Sequence, residues 1–142
     1  MIKQIVTGVD NSESAFAAAR RAAELAVALD AELRVVSAYG KFEAERVEVG
    51  GDEFLLSTER SAMELADSVS ARLHGEIPMA RISTSAEEGK PGEALVRVAG
   101  NLDAGLIVVG NRRVQGPVRV LGSIARDVAA HASCDVYVVH TT

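Results

Sequence analysis

Residues 106–123 read L-I-V-V-G-N-R-R-V-Q-G-P-V-R-V-L-G-S, and their pattern is the clearest indication of the fold class. It opens with an apolar run bounded by glycines, which predicts a buried strand at residues 106–109 that ends at Gly110. A glycine-rich basic loop follows, and an apolar-periodic helix begins at Gly122-Ser123, with Ser123 as its expected N-cap. Many α/β proteins hold phosphate with such a strand, loop and helix, because backbone N–H groups and the helix dipole point at the anion.

Length and composition describe an ordinary soluble domain. The chain has 142 residues, enough for one domain with a sizeable core, and 48% of them are hydrophobic. The formal net charge of -5 argues against a nucleic-acid binder that relies on general electrostatics. A signal peptide and a membrane span need long apolar runs that this sequence lacks. We therefore expect a cytoplasmic protein with no nucleic-acid partner and no membrane partner.

Strand and helix patterns alternate along the whole chain. Strands are predicted at residues 2–9, 33–38, 80–86, 106–109 and 136–139, and helices at 14–29, 53–73, from 91 onward and 123–132. Strands that are apolar on both faces belong to parallel sheets covered by helices on each side. The sequence predicts a single doubly wound α/β domain over residues 1–142, with a five-stranded parallel sheet and four helices.

Several local features carry their own expectations. Val27 falls on the apolar face of the first helix, and Gly75 suits a left-handed position at the end of the second. Residues 39–51 are polar and lack periodicity, which favours a solvated connector. The single cysteine, Cys134, excludes an internal disulfide and a multi-cysteine metal site, and its apolar surroundings favour a buried structural role.

The sequence offers no obvious catalytic machinery. The three histidines do not have metal-ligand spacing, and no Gly-x-Ser-x-Gly motif is present. We therefore expect no metal site, no catalytic residue and no enzymatic activity. Asp10 is the notable acidic residue, because it follows the first strand, and ligands of open parallel sheets sit beyond the carboxyl ends of the strands. It could accept hydrogen bonds from a ribose or an adenine amine, or it could merely cap the first helix; the two roles can coexist.

The glycine-rich loop is the second candidate. Gly110, Gly116 and Gly122 allow positive φ and close backbone approach, while Arg112, Arg113 and Arg119 supply positive charge. The loop is neither a Walker motif nor a Rossmann fingerprint. The alternative is a glycine-rich connection that binds nothing.

The chain resembles the universal stress protein family along its whole length. The resemblance rests on I-V-T-G-V-D-N-S at residues 5–12, E-E-G-K-P-G-E-A-L at 87–95, A-G-L-I-V-V-G-N-R-R at 104–113, V-L-G-S-I-A-R-D-V at 120–128 and S-C-D-V-Y-V-V at 133–139. It implies an adenine-nucleotide alpha-hydrolase-like fold and a stress-response role. It also implies homodimer formation through the strand from Val136 to Val139. The nucleotide-binding branch of this family binds ATP or another adenine nucleotide, with or without Mg²⁺.

Carried over by position, the resemblance assigns a nucleotide site. Asp10 would lie on the adenosine side, Ala38 would offer backbone groups to adenine, and the glycine loop would hold phosphate. The predicted nucleotide-binding residues are Val9, Asp10, Ala38, Val109, Gly110, Arg112, Arg113, Gly116, Gly122, Ser123 and Ile124.

Two departures from the family pattern leave alternatives open. Arg113 stands where the binding branch has its second glycine, and the distance from Gly110 to Gly122 is one residue shorter than the pattern. The leading hypothesis is a regulatory module that binds an adenine nucleotide. The first alternative is a dimeric interaction protein of the same fold that binds no nucleotide, and the second is a weak ATPase or nucleotidyl-transfer enzyme.

Overall fold

The computed structural model describes residues 1–40, 51–112 and 121–141. Five strands and four helices alternate within these residues. In chain order they are β1 (Gln4–Gly8), α1 (Glu13–Leu29), β2 (Glu32–Tyr39), α2 (Gly51–Glu76), β3 (Arg81–Glu88), α3 (Pro91–Leu102), β4 (Leu106–Arg112), α4 (Ser123–His131) and β5 (Asp135–Thr141).

The strands form one parallel sheet in the order β3-β2-β1-β4-β5. The predicted doubly wound α/β fold is confirmed. The chain builds outward from β1 to β3 and then returns to place β4 on the other side of β1. This switch point lies between β1 and β4, where ligands of open α/β sheets bind. Thr7, which is fully buried, ties the two strands together by donating its hydroxyl hydrogen to Val108 O at 2.9 Å.

Each face of the sheet has its own core. Helices α1 and α2 cover one face, where Phe16 and Leu73 pack with Leu33 of β2. Helices α3 and α4 cover the other, where Leu95 and Val128 pack with Ile107 of β4. The alternation along each strand explains the continuous apolar runs in the sequence, because successive side chains enter different cores.

Several local predictions were wrong. Strand β4 does not end at Gly110 but continues to Arg112. Gly75 lies within α2, and the left-handed residues that end α1 and α3 are Asp30 and Asp103. Val27 is 43% exposed, because the buried stripe of α1 runs along its alanines instead.

Cys134 is half-buried before β5. Burial raises the pKa of its thiol, and the neighbouring Asp135 carboxylate raises it further. Both effects favour the protonated thiol, which is less reactive than the thiolate. Most of the predicted 39–51 connector, residues 41–50, lies outside the described residues.

None of the helices described is both long and apolar enough to cross a membrane.

Candidate functional site

A cleft of about 300 Å³ opens at the carboxyl ends of the central strands. That volume is at the lower end of the range typical of small-molecule sites. The ends of β1, β2 and β4 form its floor, and the first turns of α1, α3 and α4 form its walls. Its lining residues are Gly8, Val9, Asp10, Ser12, Ser14, Ala15, Val36, Ala38, Pro91, Leu95, Val109, Gly110 and Ile124.

More than half of the predicted site residues meet in this cleft. They are Val9, Asp10, Ala38, Val109, Gly110 and Ile124. Arg112, Gly122 and Ser123 are exposed beside it but do not line it. Arg113 and Gly116 lie outside the described residues.

Asp10 is held in one orientation by the start of α1. Its Oδ1 atom accepts a hydrogen bond from Ser12 N–H at 2.7 Å, and Ser12 Oγ accepts one from Ala15 N–H at 3.0 Å. Ser12, not Asp10, is therefore the N-cap of α1. Asp10 fixes the turn before the helix while its exposed carboxylate faces the cleft.

The backbone of Ala38 is directed toward the cleft by strand geometry. Val36 O accepts a hydrogen bond from Val9 N–H at 2.9 Å on the β1 side, and Tyr39 O accepts one from Gly89 N–H at 2.7 Å on the β3 side. Backbone groups alternate in direction along a strand, so those of Ala38 point to the β1 side. Because strand β1 ends at Gly8, the backbone N–H and C=O of Ala38 face the cleft instead of a neighbouring strand.

Gly110 lets the cleft floor approach α1 closely. A Cβ atom at this position would lie 3.2 Å from Ser14 O and 3.3 Å from Ala18 Cβ. Gly110 does not use the positive φ that glycine allows, because the positive-φ glycines among the described residues are Gly40 and Gly89. Gly110 therefore acts through close approach within a regular strand.

The first turn of α4 stands at one rim of the cleft. Gly122 is its N-cap, with no side-chain cap, and no acidic residue occupies the first turn. Ser123 is thus the first helical residue, and the prediction of an N-cap there was one residue off. The early N–H groups of such a helix have no intrahelical partner and suit an anion.

Asn111 fixes the position of that helix start, and the sequence reasoning missed it. It is 3% exposed at the end of β4, and its Oδ1 atom accepts a hydrogen bond from Gly122 N–H at 2.9 Å. The available signal was weak, because the sequence placed Asn111 in the loop, and only the extension of β4 to Arg112 shows that its amide is buried and needs partners.

The sequence analysis also did not predict that α3 forms a wall of the cleft. Pro91 and Leu95 line the cleft from the first turns of that helix, and Pro91 occupies the early helical position that favours proline. The available signal was topological: a helix that follows a parallel strand begins at the carboxyl edge of the sheet, beside the other strand ends.

Asp10 and Ala38 also border a second, smaller cavity of about 240 Å³ against α2. Within the described residues, no group of three or more His, Cys, Asp or Glu side chains is arranged to hold a metal ion.

Comparison with known proteins agrees with this architecture. The model of the universal stress protein family matches residues 1–140. Universal stress protein Rv1636 of Mycobacterium tuberculosis is 34% identical over 153 aligned positions, which cover 99% of this chain and 97% of the relative. A putative universal stress protein of Staphylococcus aureus is 28% identical, with 98% of this chain and 84% of the relative covered.

Two solved structures of similar proteins contain adenine nucleotides. One is a universal stress protein in complex with cAMP, with 26% identity, a TM-score of 0.72 and 99% of both chains covered. The other is the universal stress protein of Archaeoglobus fulgidus in complex with dAMP, with 26% identity and a TM-score of 0.67; the match covers 97% of this chain and 98% of that one. Sequence and fold agree, and the chain belongs to the universal stress protein family.

Proposed function

We propose that this protein binds an adenine nucleotide in the 300 Å³ cleft and uses it as a regulatory ligand in a stress response. The observation that carries the proposal is the convergence of Asp10, Ala38, Gly110 and Ile124 on one cavity at the sheet's switch point. The cAMP and dAMP complexes of similar proteins support the ligand class.

The Ala38 end of the cleft suits the base. Its outward backbone N–H and C=O offer a donor and an acceptor side by side, which match N1 and the N6 amine of adenine. Guanine presents a donor and an acceptor in the opposite order, so the same edge disfavours it. The side chains of Val36, Pro91 and Leu95 line the cleft and give the flat ring apolar contacts.

The Asp10 and α4 ends suit the sugar and the phosphate. With Oδ1 fixed by Ser12, the Asp10 carboxylate is oriented to accept a hydrogen bond from a ribose hydroxyl. The α4 start at Gly122 and Ser123 offers backbone donors and a hydroxyl to phosphate. A chain of one to three phosphates, alone or with Mg²⁺, would extend along this rim.

We propose that the nucleotide is a ligand rather than a substrate. Among the residues that the structure describes, Asp10 is the carboxylate that lines the cleft, and in the proposed pose it meets the sugar rather than the phosphates. We place the protein in the cytoplasm, where adenine nucleotides are available. We further propose a homodimer, because β5 is an edge strand with half-buried Val136 and Val138.

The alternative function is that of an interaction protein that binds no nucleotide. Arg113 in place of the second family glycine, together with the shortened loop, favours it. Titration of the purified protein with AMP, cAMP, ATP and ATP–Mg²⁺ separates the two, with GTP as the base control. A nucleotide at 100 times its Kd should stabilise the fold by about 2.7 kcal/mol, which raises Tm.

Asp10→Asn is the most informative variant. Asparagine keeps an oxygen that can accept from Ser12 N–H, but it replaces the second carboxylate oxygen with an NH₂ donor. We expect nucleotide affinity to fall roughly tenfold to a hundredfold, because hydrogen bonds to charged groups contribute about 1.5–3 kcal/mol. The control is Asp103→Asn at the end of α3, where asparagine tolerates the left-handed backbone.

The outcomes are distinct. Absence of any Tm shift with every nucleotide at millimolar concentration overturns the binding proposal and favours the interaction protein. Steady release of phosphate from ATP far above background would instead support the alternative that the protein is an enzyme.

A further inference from the structure

Helices α3 and α4 approach each other too closely at Gly92 to leave room for a side chain. Gly92, in the first turn of α3, is buried against Asp127 of α4. An ideal Cβ built on Gly92 would lie 2.7 Å from Asp127 Cβ and 3.2 Å from Asp127 Oδ2. The first distance is far below a normal carbon–carbon contact of about 3.5–4.0 Å.

No side-chain rotation can relieve that overlap. Both atoms are Cβ atoms, whose positions the backbone fixes, so an added methyl group at Gly92 must push one helix away from the other. Glycine is otherwise a poor helix residue. Gly100 of the same helix differs from Gly92, since a Cβ at position 100 would meet no other atom within 4 Å.

This close approach lies beside the cleft. Pro91 and Leu95 flank Gly92 in sequence and line the cleft, and Ile124, one turn before Asp127, lines it from α4. The N-cap of α4 is already held to β4 by the hydrogen bond between Gly122 N–H and Asn111 Oδ1. Separation at Asp127 would therefore rotate α4 about its tethered start and move Ile124 relative to Leu95.

We propose that Gly92 is a positioning residue that sets the width of the cleft between α3 and α4, and thereby the affinity of the site for its nucleotide. This inference rests on the proposed function. Gly92 does not line the cleft; it acts through the placement of α4.

The test compares four variants of the full chain with the wild type. Gly92→Ala adds the clashing Cβ, and Gly100→Ala adds the same atom to the same helix in open space. Asp127→Gly removes the opposing Cβ, and the double variant Gly92→Ala/Asp127→Gly moves the single Cβ from one helix to the other. Affinity for AMP, cAMP and ATP is measured by calorimetry, and Tm by circular dichroism.

We expect Gly92→Ala to weaken binding of the tightest of these nucleotides at least tenfold, or about 1.4 kcal/mol, because a displaced α4 loosens the contacts that Leu95 and Ile124 make with the ligand. Gly100→Ala and Asp127→Gly should keep wild-type affinity, and the double variant should recover it. A merely structural role would lower Tm without this pattern of affinities. Wild-type affinity in Gly92→Ala, or no recovery in the double variant, overturns the inference.

A second readout separates this inference from the proposed function. If the wild type binds none of the nucleotides, the proposed function fails, and the backbone amide NMR shifts of Ile124 and Val128 in the free protein decide the role of Gly92. If these chemical shifts change in Gly92→Ala and return to their wild-type values in the double variant, the positioning role is supported. If they do not change in Gly92→Ala, the positioning role is overturned. If Gly92→Ala fails to fold but the double variant folds, the result supports the close approach of Gly92 to Asp127. If neither variant folds, the inference is overturned.

Discussion

At the scale of single residues, the candidate site depends on glycines that exclude a side chain rather than on glycines that adopt a left-handed backbone. Gly110 lies in regular β4 with the Ser14 carbonyl and the Ala18 methyl against its Cα. Two of the close neighbours are fixed by the backbone of α1 and cannot rotate away. Glycine is therefore required at position 110 because β4 and the helix that covers it, α1, lie too close together for a side chain.

Gly110→Ala should lower the free energy of unfolding by about 1–3 kcal/mol, because overpacking a well-packed site costs that much. Urea denaturation followed by circular dichroism measures the change. Gly75→Ala is the control, since its Cβ would meet nothing within 4 Å, and it should be as stable as the wild type or up to about 1 kcal/mol more stable, because alanine is the better helix residue. Equal stabilities for the two variants would contradict the close approach at Gly110.

At the scale of elements, helix starts build the walls of the cleft. Three of the four helices contribute residues of their first turn or N-cap, because each follows a parallel strand and begins at the same edge of the sheet. The start of α1 is the most fully capped of these, with Ser12 Oγ accepting from Ala15 N–H at 3.0 Å. Capping at this point also places Asp10.

Ser12→Ala should destabilise the protein by about 1 kcal/mol, since it removes the acceptor for a helix N–H group. The change is expected as a lower urea midpoint with an unchanged m-value. Ser12→Asn retains a side-chain oxygen that can cap and should remain near the wild type. If the alanine and asparagine variants were equally stable, the capping role would be wrong.

At the scale of the whole molecule, the sheet has two edges with different properties. The β3 edge is polar, whereas β5 presents half-buried Val136 and Val138 beside the exposed Tyr137. The strand register, together with the bond from Gly105 N–H to Gln4 O at 3.1 Å, points the backbone groups of Val136 and Val138 outward. Those groups are available to a second copy of the chain.

Val138→Pro should convert the proposed homodimer to a monomer, because it removes an outward N–H group while sparing the β4–β5 ladder. Sedimentation at micromolar concentration measures the change in mass. Ala86→Pro, at an outward backbone position on the β3 edge, is the matched control and should remain dimeric. If the wild type is a monomer, or if Val138→Pro remains a dimer, the prediction that β5 forms the dimer interface is wrong.

The order and type of the elements, the parallel sheet and the edge at which a ligand would lie could all be predicted from the amino-acid sequence. Apolar runs that alternate with helical periodicity permit little else, and Asp10 follows from its place after the first strand, whereas Gly110 lies inside β4 rather than at its end. The tertiary structure decided what depends on contacts between distant segments: the tie from Asn111 to Gly122, the wall from Pro91 and Leu95, and the Gly92–Asp127 contact. Local periodicity fixes which face of a helix is buried, but only packing fixes how closely two helices approach.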